Sequence, residues 1–291
     1  MSGETEEWDF ELRPGEKLQV TTEMKAMFDK HGLLIVRLSL FDDEENKKLR
    51  QAAEHKDGLT NHSFLQADAN DGDSGLRNIE MVLWNHPGDD VTGMMARVHK
   101  MATSMEILMG CKEMYHWHSK LIMKNARSGG SHVWHQDYGY WYTGGVLYPD
   151  MGTVLVAIDK CTPENGCLEV LPGSHKCGRA DHINVGGQVT VDPERLQLLR
   201  NHIKTYQVPL NPGDTIFTHA NLVHRAPQNH SETRRWCYGI AYNDVQNSPH
   251  DDKFHPVYTP LIKVDDDAVR KCENFTDFTG KDFYKRDFDS F

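Results

Sequence analysis

The chain has 291 residues, and its 32 Lys and Arg against 43 Asp and Glu give a formal net charge of −11 at pH 7. This excess of acid argues against non-specific binding to nucleic acid or to anionic membranes, because both depend on clustered basic residues. No apolar run approaches the roughly 20 residues of a membrane span, and residues 1–10 lack the basic-then-apolar order of a signal peptide. Since the six cysteines include no C-x-x-C pair, we expect a cytoplasmic protein with reduced cysteines.

The first 110 residues show mainly helical patterns. Residues 1–15 are polar and acidic without apolar periodicity, which predicts a flexible acidic arm ahead of a single domain over 16–291. The elements predicted next are a helix over 21–31 ended by Gly32, a strand over 33–36, a helix over 42–53 opened by a capping box of Asp42 and Glu45, a surface loop over 54–78, and a helix over 91–108 ended by Gly110.

After Gly110 the pattern changes to short apolar or alternating runs separated by turn signals such as Ser128-Gly129-Gly130. The predicted strands are 121–123, 133–138, 153–158, 168–171, 206–210, 214–218 and 236–242, with one helix near 193–200 between them. Many short strands punctuated in this way are typical of a mainly β sandwich or jelly-roll barrel.

His135 and Asp137 stand two residues apart in the run Trp134-His135-Gln136-Asp137. In a strand, residues i and i+2 point to the same face, so the imidazole and the carboxylate are expected side by side. Such a pair is either a buried salt bridge or two ligands of a metal ion.

A second histidine and an arginine favour the metal. The run 214–219 predicts a strand that 222–224 continues past a small kink, which brings His224 into the β-rich half. Two histidines with one carboxylate form the facial triad of non-haem iron, which leaves three octahedral positions open. Arg235 follows His224 by eleven residues, and its guanidinium suits bidentate pairing with a carboxylate of a bound 2-oxo acid. His219 competes with His224, but only His224 has an arginine at this interval; His175 is interpreted as a loop-orienting residue.

These motifs resemble the phytanoyl-CoA dioxygenase (PhyH) family of iron(II)/2-oxoglutarate oxygenases, in its ectoine hydroxylase-like branch. The resemblance spans about 119–243 and rests on His135-Gln136-Asp137, on the pattern N-G-x-L-x-x-x-P-G-S-H over 165–175, on Pro212-Gly213-Asp214, and on His224 with Arg235. It implies a double-stranded β-helix (a jelly roll of cupin type) over about 115–245 with flanking N-terminal helices. It also implies Fe(2+), 2-oxoglutarate as co-substrate, and O2.

The resemblance also assigns roles to individual residues. The residues that match are His135, Asp137 and His224 as metal ligands and catalytic centre, Arg235 as the partner of the distal carboxylate of 2-oxoglutarate, and Trp141 and His118 as further lining of the cofactor pocket. Where relatives carry a serine two residues after the distal histidine, this chain has Ala226, so cofactor binding is expected to depend more on Arg235. Related halogenases lack the carboxylate of Asp137, so hydroxylation is expected here.

For the substrate, the sequence offers an aromatic run and a basic pair. Tyr138, Tyr140 and Tyr142 predict an aromatic wall that attracts an amine by cation–π contact. Arg179 and His182 predict a site for an anionic group. Together they favour a small zwitterionic metabolite with an amine or a phosphonate.

Three other functions stay open at this point. The first is a non-catalytic jelly-roll sensor that binds the metal and 2-oxoglutarate. The second is a hydroxylase that acts on a protein side chain. The third is a hydroxylase of an acyl-CoA, which fits less well because the chain shows no basic patch for the phosphates of CoA.

Overall fold

The computed structural model describes residues 6–13, 15–37, 40–67, 78–127, 129–250 and 260–283. In chain order its strands and helices are β1 Asp9–Glu11, α1 Thr22–His31, β2 Leu33–Arg37, α2 Asp43–Ala53, β3 Phe64–Ala67, β4 Asn78–Trp84, α3 Val91–Arg97, α4 His99–Met109, β5 Met114–Lys124, β6 His132–His135, α5 Asp137–Thr143, β7 Met151–Ala157, β8 Leu168–Val170, β9 His182–Val185, β10 Gln188–Val191, α6 Pro193–His202, β11 Tyr206–Val208, β12 Thr215–His219, β13 His224–Ala226, β14 Arg235–Asp244 and α7 Ala268–Lys271. Short 3-10 helices lie at Leu59–His62 and Ser174–Cys177. Within the described ranges, no helix combines the length and the apolar character that crossing a membrane requires.

Two sheets form the core, which confirms the predicted mainly β jelly roll. The larger sheet has eight strands in the order β1-β2-β12-β7-β14-β5-β4-β3, and the smaller has the order β11-β8-β13-β6. Alternation along β2 shows how the layers are arranged. Leu34 and Val36 pack with the helices on one face of the large sheet, whereas Leu33 and Ile35 pack with residues of the small sheet on the other.

The N-terminal helices follow their sequence signals closely. The Thr21 hydroxyl accepts a hydrogen bond from the Met24 amide, and Gly32 ends α1 in the left-handed conformation with φ 75°. In α2, Asp42 and Glu45 make both hydrogen bonds of the predicted capping box. The predicted ends of these two helices are therefore confirmed.

The single helix predicted over 91–108 is wrong, because the chain breaks at Val98. This residue has an extended backbone, with φ −61° and ψ 144°, between α3 and α4. Val98 forms an isolated parallel bridge with Val264, whose amide donates to the carbonyl of Arg97. The apolar period continues through both helices, so it could not reveal a break that a distant segment imposes.

Two stretches predicted as irregular contain strands. Asp9–Glu11 pairs in parallel with β2, and Trp8 and Leu12 are buried, so these residues belong to the edge of the large sheet rather than to a flexible arm. The loop predicted over 54–78 contains a 3-10 helix, β3 and the first residue of β4. Residues 1–5, 14 and 68–77 lie outside the described part of the chain, and the single domain over 16–291 stays a prediction.

The segment that carries His224 also differs from its prediction. Residues 222–224 do not continue β12, because β12 ends at His219 in the large sheet and β13 begins at His224 in the small one. The chain thus crosses from one sheet to the other between these two histidines, and this crossing places His224 beside β6.

Candidate active site

Three predicted side chains converge where the small sheet meets α5. His135 is the last residue of β6, and His224, the first residue of β13, lies directly opposite it in the antiparallel pair. The sequence predicted Asp137 on a strand, but the structure shows it as the first residue of α5. The two groups do lie close together, but not because they share one face of a strand. The start of helix α5 turns the carboxylate toward the two imidazoles.

The distances among these groups are short enough for one metal ion. Asp137 Oδ1 lies 3.7 Å from His135 Nε2 and 4.0 Å from His224 Nε2. One ligand atom from each of the three residues falls within 4.8 Å of the others. Two imidazole nitrogens and one carboxylate oxygen are a donor set that suits iron(II) and leaves open positions.

The backbone and Thr153 orient the three donor atoms. His135 Nδ1 donates to the Val133 carbonyl at 2.7 Å, and His224 Nδ1 donates to the Leu222 carbonyl at 2.9 Å. A carbonyl only accepts, so each Nδ1 carries the proton and each Nε2 presents its lone pair to the centre. Thr153 donates to Asp137 Oδ2 at 2.7 Å, which leaves Oδ1 for the site.

The protonation states also suit metal binding. Burial alone would raise the pKa of Asp137, but the Lys120 ammonium and the two imidazoles outweigh it and hold that pKa well below its ordinary value. Burial, and then repulsion from His135, lower the pKa of His224 to about 4. A carboxylate and a neutral imidazole are the forms that bind a metal, so neither group has to lose a proton first at pH 7.

A cavity between the sheets joins the triad to Arg235. Its lining comes from β4, β5, β6, α5, β7, β8, β12, β13 and β14, and consists of Ile79, Met81, Lys120, Ile122, Lys124, His132, His135, Asp137, Thr153, Leu155, Leu168, Ile216, Thr218, His224, Arg225, Ala226 and Arg235. In the register of β7 with β14, Leu155 lies opposite Gly239, between the levels of Thr153 and Arg235, and Ile216 is its neighbour on β12.

Arg235, the first residue of β14, is only 1% exposed, and its Nε has no hydrogen-bond partner. In the described chain, no carboxylate pairs with this guanidinium; the groups closest to it electrostatically are the thiols of Cys237, Cys161 and Cys167. A buried cation without a counter-ion is costly, which favours an anionic ligand at this position. A diacid with one end at the triad and the other at Arg235 fits both requirements.

Trp141 and His118 do not line this cavity. Their ring centroids lie 5.8 Å apart, and Trp141 packs in an aromatic cluster with Trp117 and Tyr138. The predicted contact of Trp141 and His118 with the cofactor therefore has no support in this geometry.

The tyrosines of the predicted aromatic wall lie on α5 and serve different purposes. The Tyr138 hydroxyl donates to the Val146 and Leu147 carbonyls, and the Tyr140 hydroxyl donates to the Val189 carbonyl at 3.2 Å. Both hydroxyls thus hold neighbouring loops and strands in place. Tyr142 is 45% exposed and is not a wall of the cavity.

The two residues of the predicted basic pair, Arg179 and His182, also have different partners. Arg179 lies with its guanidinium carbon 4.4 Å from the centre of the Tyr142 ring, and it pairs with Asp181. His182 accepts from the Gln136 amide and donates to the Ala180 carbonyl. Burial lowers the pKa of His182 to about 4, so its imidazole is a neutral brace beneath α5 rather than a cation for an anionic group.

The other two histidines considered as ligands lie away from the triad. His219 Nδ1 accepts from the Asn221 amide, and the His219 ring lies 5.2 Å from that of His175. His175 packs against Gly32 and contacts the Asp29 carbonyl, which agrees with an orienting role. The metal-ligand cluster of the described chain contains His224 and not His219.

Six polar residues of the cavity lining escaped the sequence prediction: Lys120, Lys124, His132, Thr153, Thr218 and Arg225. The alternation of side chains along a strand, which was applied to His135 and Asp137, would also have identified Lys120. Lys120, Ile122 and Lys124 alternate along β5 and line the cavity together. No sequence signal points to Thr153, since its role depends on the approach of α5 to β7.

Comparison with known proteins identifies a family and several relatives to which the chain is similar. The sequence model of the phytanoyl-CoA dioxygenase (PhyH) family matches residues 28–237. The chain is 27% identical over 272 residues to L-proline trans-4-hydroxylase from Streptomyces griseoviridis, covering 85% of this chain and 97% of that protein. It is 25% identical over 247 residues to ectoine dioxygenase from Sphingopyxis alaskensis, covering 78% and 77%.

Two solved structures resemble the fold. The structure of EctD from S. alaskensis with 2-oxoglutarate and 5-hydroxyectoine superposes with a TM-score of 0.66 at 22% identity, covering 84% of this chain and 87% of that one. The carbocyclase SnoK from nogalamycin biosynthesis gives a TM-score of 0.62 at 17% identity, covering 84% and 100%. These likenesses confirm the jelly-roll architecture predicted from the sequence.

Proposed function

The chain belongs to the phytanoyl-CoA dioxygenase (PhyH) family, and on that premise we propose that it is an iron(II)- and 2-oxoglutarate-dependent dioxygenase that hydroxylates a small amino acid or a related zwitterionic metabolite. O2 is the oxidant, and succinate and CO2 are the co-products. The observation that carries this proposal is the pairing of two features in one cavity. A His-Asp-His cluster lies at one end, and at the other lies a buried guanidinium that pairs with no carboxylate of the described residues.

His135, Asp137 and His224 would hold the metal, which supplies oxygen activation coupled to the oxidative decarboxylation of 2-oxoglutarate. Arg235 would bind the distal carboxylate of this co-substrate, because its planar fork matches a carboxylate in two hydrogen bonds. The aliphatic side chains of the lining, such as Leu155 and Ile216, would exclude water from the bound co-substrate. Asp137 would be a third ligand of the metal, and a carboxylate at this position favours hydroxylation over halogenation.

The substrate class rests on a relative that spans nearly the same length. The L-proline trans-4-hydroxylase shares 27% identity with this chain over 97% of its own sequence. The name of that protein gives a small cyclic amino acid as its substrate. Ectoine dioxygenase, the second relative, is named for another small molecule. An amino acid or similar zwitterion is therefore the first class to test.

Succinate formation from 2-oxoglutarate tests the proposal directly. Iron-loaded protein would be assayed with L-proline, other amino acids, ectoine, small amines, phosphonates and acyl-CoAs, and with the Asp137→Ala variant as the inactive control. We expect stimulation by an amino acid or related zwitterion, with a product 16 Da heavier than its substrate. Stimulation by acyl-CoA alone would overturn the substrate class, and no stimulation by any compound would overturn the hydroxylase assignment.

A further inference from the structure

The charges in the cavity are the reverse of those on the whole chain. Although the chain carries a formal net charge of −11, the described residues that line the cavity include Lys120, Lys124, Arg225 and Arg235 and a single carboxylate, that of Asp137. A cavity that concentrates positive charge in an acidic protein selects anionic ligands. Each of the four cations can be assigned in turn.

Three of them already have a partner or a role. Lys124 Nζ donates to the carbonyls of Ala226 and Pro227, and so braces the backbone after β13. Arg225 Nε donates to Glu169 at 2.6 Å, which neutralises it within the protein. Arg235 is the proposed partner of the distal carboxylate of the co-substrate.

Lys120 is the cation that remains. Its side chain is 18% exposed, and its ammonium lies 3.8 Å from Asp137 Oδ1, too far for a hydrogen bond. No closer polar partner of Lys120 is found in the described part of the chain. If Asp137 coordinates a metal, its charge would be shared with a dication, and the Lys120 ammonium beside it would then have no counter-ion among the described residues.

The fold makes room for this lysine. Gly239 on β14 lies directly opposite Lys120 in the register with β5. A Cβ at Gly239 would lie 2.9 Å from Lys120 Cγ and 3.1 Å from Cε, so the lysine stem lies flat on the glycine backbone. Glycine weakens the interior of a strand and often marks such a close approach. Its presence here fixes the direction in which the ammonium enters the cavity.

Lys120 and Arg235 serve different ends of the cavity. Arg235 lies opposite Lys124 in the register of β14 with β5. Lys120 lies four residues before Lys124 on β5, about 13 Å away at roughly 3.3 Å per residue. The cation near the triad is thus well separated from the cation proposed for the distal carboxylate.

We infer that Lys120 is a specificity-determining residue that binds the carboxylate of a small amino-acid substrate beside the triad. This inference rests on the proposed function and names the substrate group that its site recognises. The near carboxylate of 2-oxoglutarate has the same chemistry, so the experiment has to separate the two ligands.

The test is a calorimetric titration of L-proline into protein that holds manganese(II) and 2-oxoglutarate, because manganese replaces the reactive iron. L-Prolinamide is the matched probe, since it keeps the ring and amine but lacks the carboxylate. In Lys120→Met we expect L-proline binding to weaken about 10- to 100-fold, as for the loss of a charged hydrogen bond, with the affinity for 2-oxoglutarate unchanged. L-Prolinamide should bind weakly to both proteins.

Three further variants separate the loss of this charge from misfolding and from non-specific charge effects. Lys120→Arg keeps the cation and should retain most of the L-proline affinity, whereas Lys112→Met removes an exposed lysine elsewhere and should bind like the wild type. Gly239→Ala displaces the lysine stem and should weaken L-proline binding without removing any charge. Thermal melting of each variant establishes that it is folded.

The inference is wrong if Lys120→Met binds L-proline as the wild type does, if L-prolinamide binds the wild type as tightly as L-proline, or if the loss falls on 2-oxoglutarate instead. The outcome for the proposed function is separate. Succinate formation with a substrate that has no carboxylate would keep the hydroxylase and reject Lys120 as a carboxylate site. Lys120-dependent L-proline binding without succinate formation would do the opposite.

Discussion

At one end of the cavity, ligand atoms of three side chains from β6, α5 and β13 lie within 4.8 Å of one another, whereas at the other end a guanidinium from β14 is buried and pairs with no carboxylate of the described chain. The triad end carries its own negative charge on Asp137, and backbone carbonyls orient its imidazoles. At the Arg235 end, no carboxylate among the described residues pairs with the guanidinium, whose neighbours are thiols such as that of Cys161.

This difference shows how the two ends depend on ligands. The triad is oriented before any ligand arrives, since the hydrogen bonds of His135, His224 and Asp137 are made within the protein. Arg235 is buried beside thiols and pairs with no carboxylate of the described chain, so an anion is needed to complete its environment. Substitutions at the two ends should therefore affect different ligands.

The largest effect is expected from Asp137→Ala, which removes the charge of the triad end. Iron affinity and turnover should both fall by more than about 100-fold, since even residues that only support a ligand are worth 10- to 100-fold in metal affinity. Metal binding would be measured by calorimetry and turnover by succinate formation. The 2-oxoglutarate affinity measured without metal should change little, and retained iron affinity would contradict the assignment of Asp137 as a ligand.

Arg235→Met should affect the other ligand. We expect the affinity for 2-oxoglutarate to fall about 100-fold, because a buried charged pair is lost, while iron affinity is retained. Calorimetry with each ligand separates the two. The matched control is Arg127→Gln, which removes an exposed arginine that pairs with Glu232 and should leave both affinities unchanged. Unaltered 2-oxoglutarate binding in Arg235→Met would show that the co-substrate lies elsewhere.

The residues at both ends could be predicted from the sequence, but the geometry of Asp137 could not. The spacing of His135, Asp137, His224 and Arg235 led to their prediction as site residues, and these residues do line one cavity. The apolar alternation around His135 favours a strand through residue 138, yet β6 ends at His135. The hydrogen bonds that anchor α5, from Tyr140 to β10 among them, join residues far apart in the chain and leave no local signal.

The same limit explains the other differences. Helix ends with local caps, at Thr21 and Asp42, agreed with the sequence. The break at Val98 depends on Val264, about 170 residues away, and was missed. Substrate contacts were predicted from residue type alone, and Tyr138, Tyr140 and His182 proved to have backbone partners instead.

Thr153→Val tests how far the triad depends on its surroundings. The substitution keeps the shape of the side chain but removes the donor to Asp137 Oδ2, so iron affinity should fall about 10-fold. Calorimetric titration with iron(II) under anaerobic conditions measures it, and 2-oxoglutarate affinity without metal should not change. Thr218→Val is the control, because Thr218 also lines the cavity but its hydroxyl donates to the backbone carbonyl of Thr153 and not to Asp137. An equal loss in both variants would point to general packing instead.

The smallest expected effect is a lower KM for 2-oxoglutarate, from a substitution near the Arg235 end of the cavity. Ala226 lines the cavity on the strand that begins at His224, and its carbonyl accepts from Lys124. In Ala226→Ser a new hydroxyl would face the cavity that Arg235 also lines, and one net hydrogen bond to the distal carboxylate would lower the KM for 2-oxoglutarate about 3-fold. Iron affinity should stay the same, because the triad does not contact this side chain. A KM that is unchanged or higher would place the distal carboxylate away from Ala226, and a parallel change in iron affinity would show that the two ends are coupled through β13.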